Sequence, residues 1–504
     1  MGLITLTFSE LKKNYKVDFI AGLTVAVLLV PQGMAYAMLA GLPPIYGLYT
    51  AIIPSFLYPL FGSSKHISAG PTAVISILIF SGLLQFAVPE SQEFISLAIL
   101  VTFVSGLLFL ISAALRLGFL AKVISYPVIV GFSTAAACLI VVSQIKNLTG
   151  LEIDDSLSVF QKIKYGFSHL HQYNPITLAI GIASIFIITF TKKFSPKIPG
   201  ALLVVLLGIF LICIFKWDQS GVEIIKDIPG GFPRFILPDF SVKNLVKILP
   251  FTIVLSLISF MEAIAIAKTV SKRAGYYEIE PDKEFLGLGV ANLVSSFLQC
   301  YPSTSSFSRS ALNYDAGAKT AWSSIFAAII ITFVLVFLTQ YLYYLPKAIL
   351  AAIIMTSVLK LVSILEIKEL WSSSKFDFLV FFVTFVSTFI VSLEKGIFIG
   401  ILLAFLFLIF HLIQKKQLNF SNLLGSKNPT PVTILEQNQL VPTKPITYLN
   451  FEGEIANLKQ VIINSQLKDL RLQLEHTYVD STGFQALNNM KSEFSQKGIN
   501  IILD

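Results

Sequence analysis

Charge is what this chain lacks most. Of its 504 residues only 13% are Asp, Glu, Lys or Arg, while 55% are hydrophobic; a soluble domain carries about a quarter charged residues. A surface so poor in charge does not face water over most of its area, which excludes an ordinary soluble protein. Stretches 97–115, 124–142, 201–215, 323–341 and 397–412 hold almost no charge, and a membrane-crossing helix needs about 20 such residues, or fewer where it is broken or short.

Cysteine is scarce as well. Cys138, Cys213 and Cys300 sit singly in apolar segments, with neither disulfide nor metal-site spacing, which excludes a disulfide scaffold. There is no metal triad, nucleophile constellation or phosphate loop, so the sequence points away from an enzyme and calls for no cofactor. A cleavable leader pattern is also missing: a polar, Lys-bearing stretch from Glu10 to Lys16 precedes the first apolar segment.

What is present is a series of fourteen apolar segments: 19–39, 43–61, 69–86, 95–115, 123–144, 175–191, 199–216, 248–269, 284–299, 303–313, 321–341, 345–362, 374–392 and 395–413. The third and tenth are too short to cross a bilayer alone. With the N-terminus inside, the inner loops carry Arg116, Lys122, Lys192, Lys193, Lys197, Lys272, Arg273, Lys283, Lys319, Lys360, Lys368 and Lys375. The short outer loops carry almost no Lys or Arg, and the one after the third segment has Glu90 and Glu93 instead. This is the positive-inside pattern. It predicts both termini in the cytoplasm of a multi-pass protein of the plasma membrane (a bacterial inner membrane), and explains the net charge of +8 by the lipid bilayer rather than by nucleic acid.

The chain also resembles itself. Gly47, Leu48 and Ala51 match Gly287, Leu288 and Ala291, while Ser55, Ser63 and Ser68 match Ser295, Ser303 and Ser308; one segment earlier Gln32, Ala35 and Ala37 fall on Glu262, Ala265 and Ala267. Seven segments separate the copies, and an odd number inverts the second relative to the first, a recurring architecture of secondary transporters.

At corresponding places in the two copies the apolar sequence is broken by Gly, Pro, Ser and Thr, over residues 62–72 and 301–310. Non-helical backbone at membrane depth is tolerated only where protein buries it or it lines a cavity. Each break leads into a short helix, so two positive helix ends can face one spot that attracts an anion. Ser68, Thr72, Ser306 and Ser308 add hydroxyl donors, and Arg309 adds a full charge able to fork onto an oxyanion. The competing role for Arg309 is structural, either snorkelling to a headgroup or pairing permanently with Glu262. Lys65 and His66 read as interfacial residues.

Glu262 follows the apolar run 253–261. An intramembrane carboxyl is costly as an ion and is a functional candidate by default; neutral once protonated, it can couple anion entry to proton entry. Gln32, its counterpart in the first copy, is a neutral donor or acceptor for the same cavity.

The stretches Val30-Pro-Gln-Gly-Met-Ala-Tyr-Ala37, Gly41-Leu-Pro-Pro-Ile-Tyr-Gly-Leu-Tyr49, Ser68-Ala-Gly-Pro-Thr-Ala73 and Ser306-Phe-Ser-Arg-Ser-Ala-Leu-Asn313 resemble the sulfate permease (SulP) family of anion transporters over nearly the whole chain. The resemblance implies an all-α membrane fold of fourteen segments in two inverted seven-segment repeats, about 1–216 and 230–416, split into core and gate domains. It places a small anion between the third and tenth segments, with Ser308 and Arg309 at the anion site and Ser306, Ser68, Ala69, Thr72, Gln32 and Tyr36 around it. Glu262 falls where proton-coupled members carry an acid; sodium-coupled members tend to have Asp with a nearby hydroxyl, so protons are favoured over sodium. One departure is visible: many members have Thr-Gly-Ser where this chain has Thr304-Ser305-Ser306.

After Lys416 the sequence turns polar. Residues 417–440 read as a linker, and 441–504 as a small α/β domain with strands at 446–451, 470–474 and 499–503 and a helix at 482–496. Tyr478-Val-Asp-Ser-Thr-Gly483 resembles the signature of the STAS domain, the family's C-terminal partner, here shortened. Ser481 matches a position phosphorylated in soluble relatives of that domain, and Asp480 or Ser481 as a helix cap is the plainer reading. The resemblance further implies a homodimer. The leading expectation is proton-coupled uptake of an oxyanion, sulfate by default; bicarbonate or dicarboxylate transport, by symport or exchange, is the alternative. An anion sensor signalling through the STAS piece is the reading from another class.

Overall fold

The computed structural model describes residues 8–117, 125–154, 157–194, 199–226, 231–275, 279–391 and 393–414, with shorter stretches at 433–435, 439–441, 455, 458–462, 469–472, 479, 487, 490–491, 494–495 and 499–503. Its helices are α1 (Phe8–Leu39), α2 (Pro44–Phe61), α3 (Ala73–Leu83), α4 (Gln92–Ala114), α5 (Tyr126–Ser143), α6 (Ile145–Thr149), α7 (Val159–Ser168), α8 (Pro175–Phe194) and α9 (Gly200–Phe215). They continue with α10 (Val242–Arg273), α11 (Pro281–Ser296), α12 (Phe307–Asp315), α13 (Trp322–Phe337), α14 (Lys347–Val358), α15 (Ile364–Ser373), α16 (Lys375–Ile390) and α17 (Leu393–Gln414). Every one of the fourteen apolar segments is a helix. The third and tenth, α3 and α12, have only 11 and 9 residues. α1, α2, α4, α8, α10 and the run Tyr126–Thr149 are each long and apolar enough to cross a membrane.

The two largest differences from the expected boundaries are at helix starts. The polar stretch 10–16 is the first part of α1, and α10 likewise starts at Val242, before its apolar run. Alternation of polar and apolar residues there is helical in period, and neither Asn14 nor Lys243 breaks a helix.

The structure divides into two compact units, residues 1–121 with 136–361 and residues 122–135 with 362–504. Packing in the first follows the internal repeat. α2 packs on α13 as α11 packs on α4; α1 packs on α13 as α10 packs on α4; and α1 meets α12 as α10 meets α3. Exchanging α1–α4 for α10–α13 leaves this pattern unchanged, which is what two related halves require. The α1–α2 crossing depends on glycine: a Cβ on Gly33 would come within 3.0 Å of the Gly47 carbonyl oxygen, and one on Gly47 would collide with the Gly33 carbonyl.

In the second unit α16 packs on α17, and Val130, Leu370 and Phe381 form a buried cluster. Besides two short strands of the first unit, β1 (Ala69–Gly70) and β2 (Thr304–Ser305), there is a four-stranded sheet in the order β3 (Thr433–Leu435), β4 (Gln439–Val441), β5 (Asp469–Leu472), β6 (Asn500–Leu503), with β4, β5 and β6 parallel. β3 and β4 fall at the end of the stretch read as a linker. β5 and β6 lie where strands were expected, and Leu487, Met490 and Phe494 of the expected helix pack against them around Leu472 and Ile501. The expected strand at 446–451, Asp480 and Ser481 lie outside the described residues.

Candidate functional site

α2 stops at Gly62, and the chain bends irregularly through residues 63–66 to a two-residue strand, Ala69–Gly70, before α3 begins. In the second half Thr304–Ser305 does the same before α12. The two strands pair antiparallel, Ala69 opposite Ser305 and Gly70 opposite Thr304. The Ser306 N–H donates to the Ser68 carbonyl at 3.2 Å, and the Ser68 N–H to Ser310 Oγ at 3.0 Å. Both breaks thus meet at one place, as the sequence suggested. Ser305, the departure noted in the sequence, lies in paired extended backbone that any residue adopts.

Buried polar side chains hold this bridge, since backbone groups away from water must be paired. Ser55 Oγ donates to the Ala69 carbonyl at 2.9 Å, and Thr304 Oγ1 to the Ser259 carbonyl at 3.0 Å. Asn292 accepts from the Ser303 N–H at 2.8 Å and donates to the Ser303 carbonyl at 3.0 Å.

α3 and α12 therefore begin at the bridge. Neither Thr72 nor Ser306, which precede their first turns, uses its hydroxyl as a cap. The first-turn N–H groups of a helix have no intrahelical acceptor, so both helices present open donors.

Arg309, in the first turn of α12, is fully buried. Its Nε donates to Ser68 Oγ at 3.3 Å, and its Nη1 to the Pro71 carbonyl at 2.8 Å and to Gln32 Oε1 at 3.4 Å. Among the described residues Nη2 has no hydrogen-bond partner, and neither do the buried Thr72 Oγ1, Ser305 Oγ and Glu262 Oε2. Arg309 and Glu262 interact electrostatically yet make no ion pair within 4.0 Å, so the permanent salt bridge is not formed. Tyr36, also buried, lies within electrostatic reach of both. Ser308 is half-buried with its hydroxyl 3.4 Å from Ser306 Oγ.

All the predicted residues except the flanking pair converge here: Gln32, Tyr36, Ser68, Ala69, Thr72, Glu262, Ser306, Ser308 and Arg309. Lys65 is exposed. His66 is buried rather than interfacial, its Nε2 3.1 Å from the Ala318 carbonyl and its ring edge-on to Tyr314.

Sequence reasoning missed three residues. Ser357 on α14 accepts from Gln32 Nε2 at 3.3 Å. The buried Glu284 of α11 accepts from Tyr58 Oη at 2.5 Å and from the Ser63 N–H, Ser63 Oγ and Ser64 N–H at 2.7–3.0 Å. Buried Asp18 of α1 accepts from the Lys319 and Thr320 N–H groups and from Thr320 Oγ1. Each half thus ties down the irregular backbone of the other. Glu284 shares the first turn of α11 with Asp282, so the sequence did not single it out.

A bundle of membrane-length helices with two broken segments joined at a buried arginine defines a multi-pass membrane transporter. The Sulfate permease family matches residues 15–384. The chain is 31% identical over 516 aligned residues to the probable sulfate transporter 4.2 of Arabidopsis thaliana, covering 97% of this chain and 76% of that protein. It is 36% identical to the low affinity sulfate transporter 3 of Stylosanthes hamata over 79% of this chain and 65% of that one. Among solved structures, the murine Solute Carrier 26 family member A9 anion transporter superposes with a TM-score of 0.74 at 23% identity, covering 97% and 85% of the two chains. The transmembrane domain of the cyanobacterium bicarbonate transporter BicA gives 0.68 at 21%, covering 79% and 98%. These two establish the fold. The chain belongs to the sulfate permease family, and it is an anion transporter, not an enzyme.

Proposed function

We propose that this chain takes up sulfate together with protons, binding the anion between the first turns of α3 and α12 and coupling it through Glu262. The observation that carries this reading is the set of unpartnered buried atoms: Arg309 Nη2, Thr72 Oγ1, Ser305 Oγ and Glu262 Oε2. A buried donor without an acceptor costs roughly 1–3 kcal/mol, more for a charged one, and an oxyanion supplies acceptors to Arg309 and the hydroxyls at once. Ser68, Ser306, Ser308 and the open first-turn N–H groups of α3 and α12 complete the donor set, with Ala69 in the bridge beside them and Gln32 and Tyr36 on the α1 side.

Charge sets the coupling. With Glu262 ionised, Arg309 and Glu262 sum to zero, and a dianion brings the buried site to −2. Protonating Glu262 as the anion enters halves that excess, so each sulfate is carried more readily with a proton. Sodium would need a ring of oxygen ligands, for which Glu262 with its Ala-Ile-Ala neighbours is a poor start.

The test is uptake of labelled sulfate into proteoliposomes with and without an imposed pH gradient. Faster uptake with the acid side outside supports proton coupling; equal rates, or a strict need for sodium, contradict it. A panel of competing anions, bicarbonate and dicarboxylates included, tests the cargo.

The same reading assigns residues 1–416 to transport, 417–440 to a connection and 441–504 to a shortened STAS domain, supported by the parallel strands β4–β6 and the apolar cluster around Leu472 and Phe494. Residence in a plasma membrane with both termini in the cytoplasm follows from the distribution of Lys and Arg, and a homodimer from the family resemblance. Accessibility of cysteines introduced at either end tests the orientation.

A further inference from the structure

Gln32 stands between Arg309 and α14. Its Oε1 accepts from Arg309 Nη1 at 3.4 Å, while its Nε2 donates to Ser357 Oγ at 3.3 Å. Arg309 dictates this orientation, because a guanidinium only donates. An oxyanion at the open Nη2 reverses the demand. Its oxygens only accept, so the Gln32 carbonyl oxygen repels it, while the amide NH2 would bind it.

Rotating the amide about Cγ–Cδ exchanges the two groups, but it also presents Oε1 where Nε2 had been. The partner on α14 must then accept in one state and donate in the other. A hydroxyl does both; an apolar side chain does neither, and an ammonium does only one. Ser357 is that hydroxyl. The Tyr36 hydroxyl also interacts with Ser357 and can accept the serine proton while Gln32 is in its empty-site orientation. α14 packs against α1 and belongs to neither broken segment.

We infer that Ser357 is a positioning residue for anion recognition: its hydroxyl accepts from the Gln32 amide when the site is empty and donates to it when an oxyanion is bound. Gln32 thereby exchanges acceptor for donor while its amide stays paired on the α14 side, and Arg309 Nη1 keeps the Pro71 carbonyl. The inference rests on the anion binding at Arg309.

The test measures labelled sulfate uptake by the full chain in proteoliposomes, comparing Ser357→Ala and Ser357→Thr in the wild-type and Gln32→Leu backgrounds, with Arg309→Ala alongside. Ser357→Ala raises KM about tenfold, the size of one lost hydrogen bond to a buried amide, with the maximal rate within about twofold. Ser357→Thr stays near wild type, and Ser357→Ala adds nothing once Gln32 is Leu. An unchanged KM in Ser357→Ala, or an equal rise in the Gln32→Leu background, overturns the inference. If Arg309→Ala retains uptake, the site itself is misassigned; if Arg309→Ala abolishes uptake while Ser357→Ala behaves as wild type, only the role of Ser357 falls.

Discussion

Arg309 and Glu262 interact through the protein interior without touching, and each leaves one buried polar atom without a partner. A purely structural pair would close that gap, because an unpaired buried charge is more costly than a paired one. The open pair leaves the Arg309 charge available to a ligand of opposite sign.

The first prediction concerns Glu262→Gln. Gln approximates the protonated acid in size and charge, so the site keeps its affinity but loses the titrating group. Wild-type uptake rises as the external pH falls, because the proton travels inward with the anion. Uptake by the variant stays level across the same pH range, with sulfate affinity within about threefold of wild type, roughly 0.6 kcal/mol.

Gly70 has φ +150°, and an added Cβ would lie 3.4 Å from Arg309 Nη2. A side chain there is strained by about 1–3 kcal/mol and crowds the open side of the guanidinium. Gly70→Ala is expected to weaken sulfate binding and lower the unfolding temperature together, measured by uptake and by thermal unfolding in detergent.

Glu284 separates structure from transport. Its carboxylate gathers four donors from Tyr58, Ser63 and Ser64 but touches no part of the proposed anion site. Glu284→Gln removes the charge from these bonds, at a cost of about 2–3 kcal/mol in stability. The unfolding temperature should fall by several degrees while the KM of the folded protein stays unchanged.

Much of this was legible in the sequence because lipid imposes simple rules. Apolar runs marked fourteen of the seventeen described helices, α6, α7 and α15 being the others, and the density of Gly, Pro and Ser around Ser68 and Ser306 marked the two breaks. The antiparallel joining of Ala69 to Ser305 was legible only through the repeat. Ser357 was not legible at all: it lies in an ordinary apolar helix, and its meaning comes from the packing of α14 on α1. Asp18 and Glu284 hid for a similar reason, since each partner lies more than two hundred residues away. Leu458 and Ile462, in helical backbone, belong to the C-terminal cluster, where the sequence reading had no helix.

The most direct test of the anion site is labelled sulfate uptake by Arg309→Ala and Arg309→Lys beside the wild type, each checked for folding by gel filtration. Loss of a buried, charge-assisted interaction of about 3 kcal/mol corresponds to roughly a hundredfold drop. Arg309→Ala is therefore expected to fall at least that far. Arg309→Lys keeps the charge but not the fork and should recover only part of the rate. Sulfate uptake by folded Arg309→Ala at the wild-type rate would contradict the account.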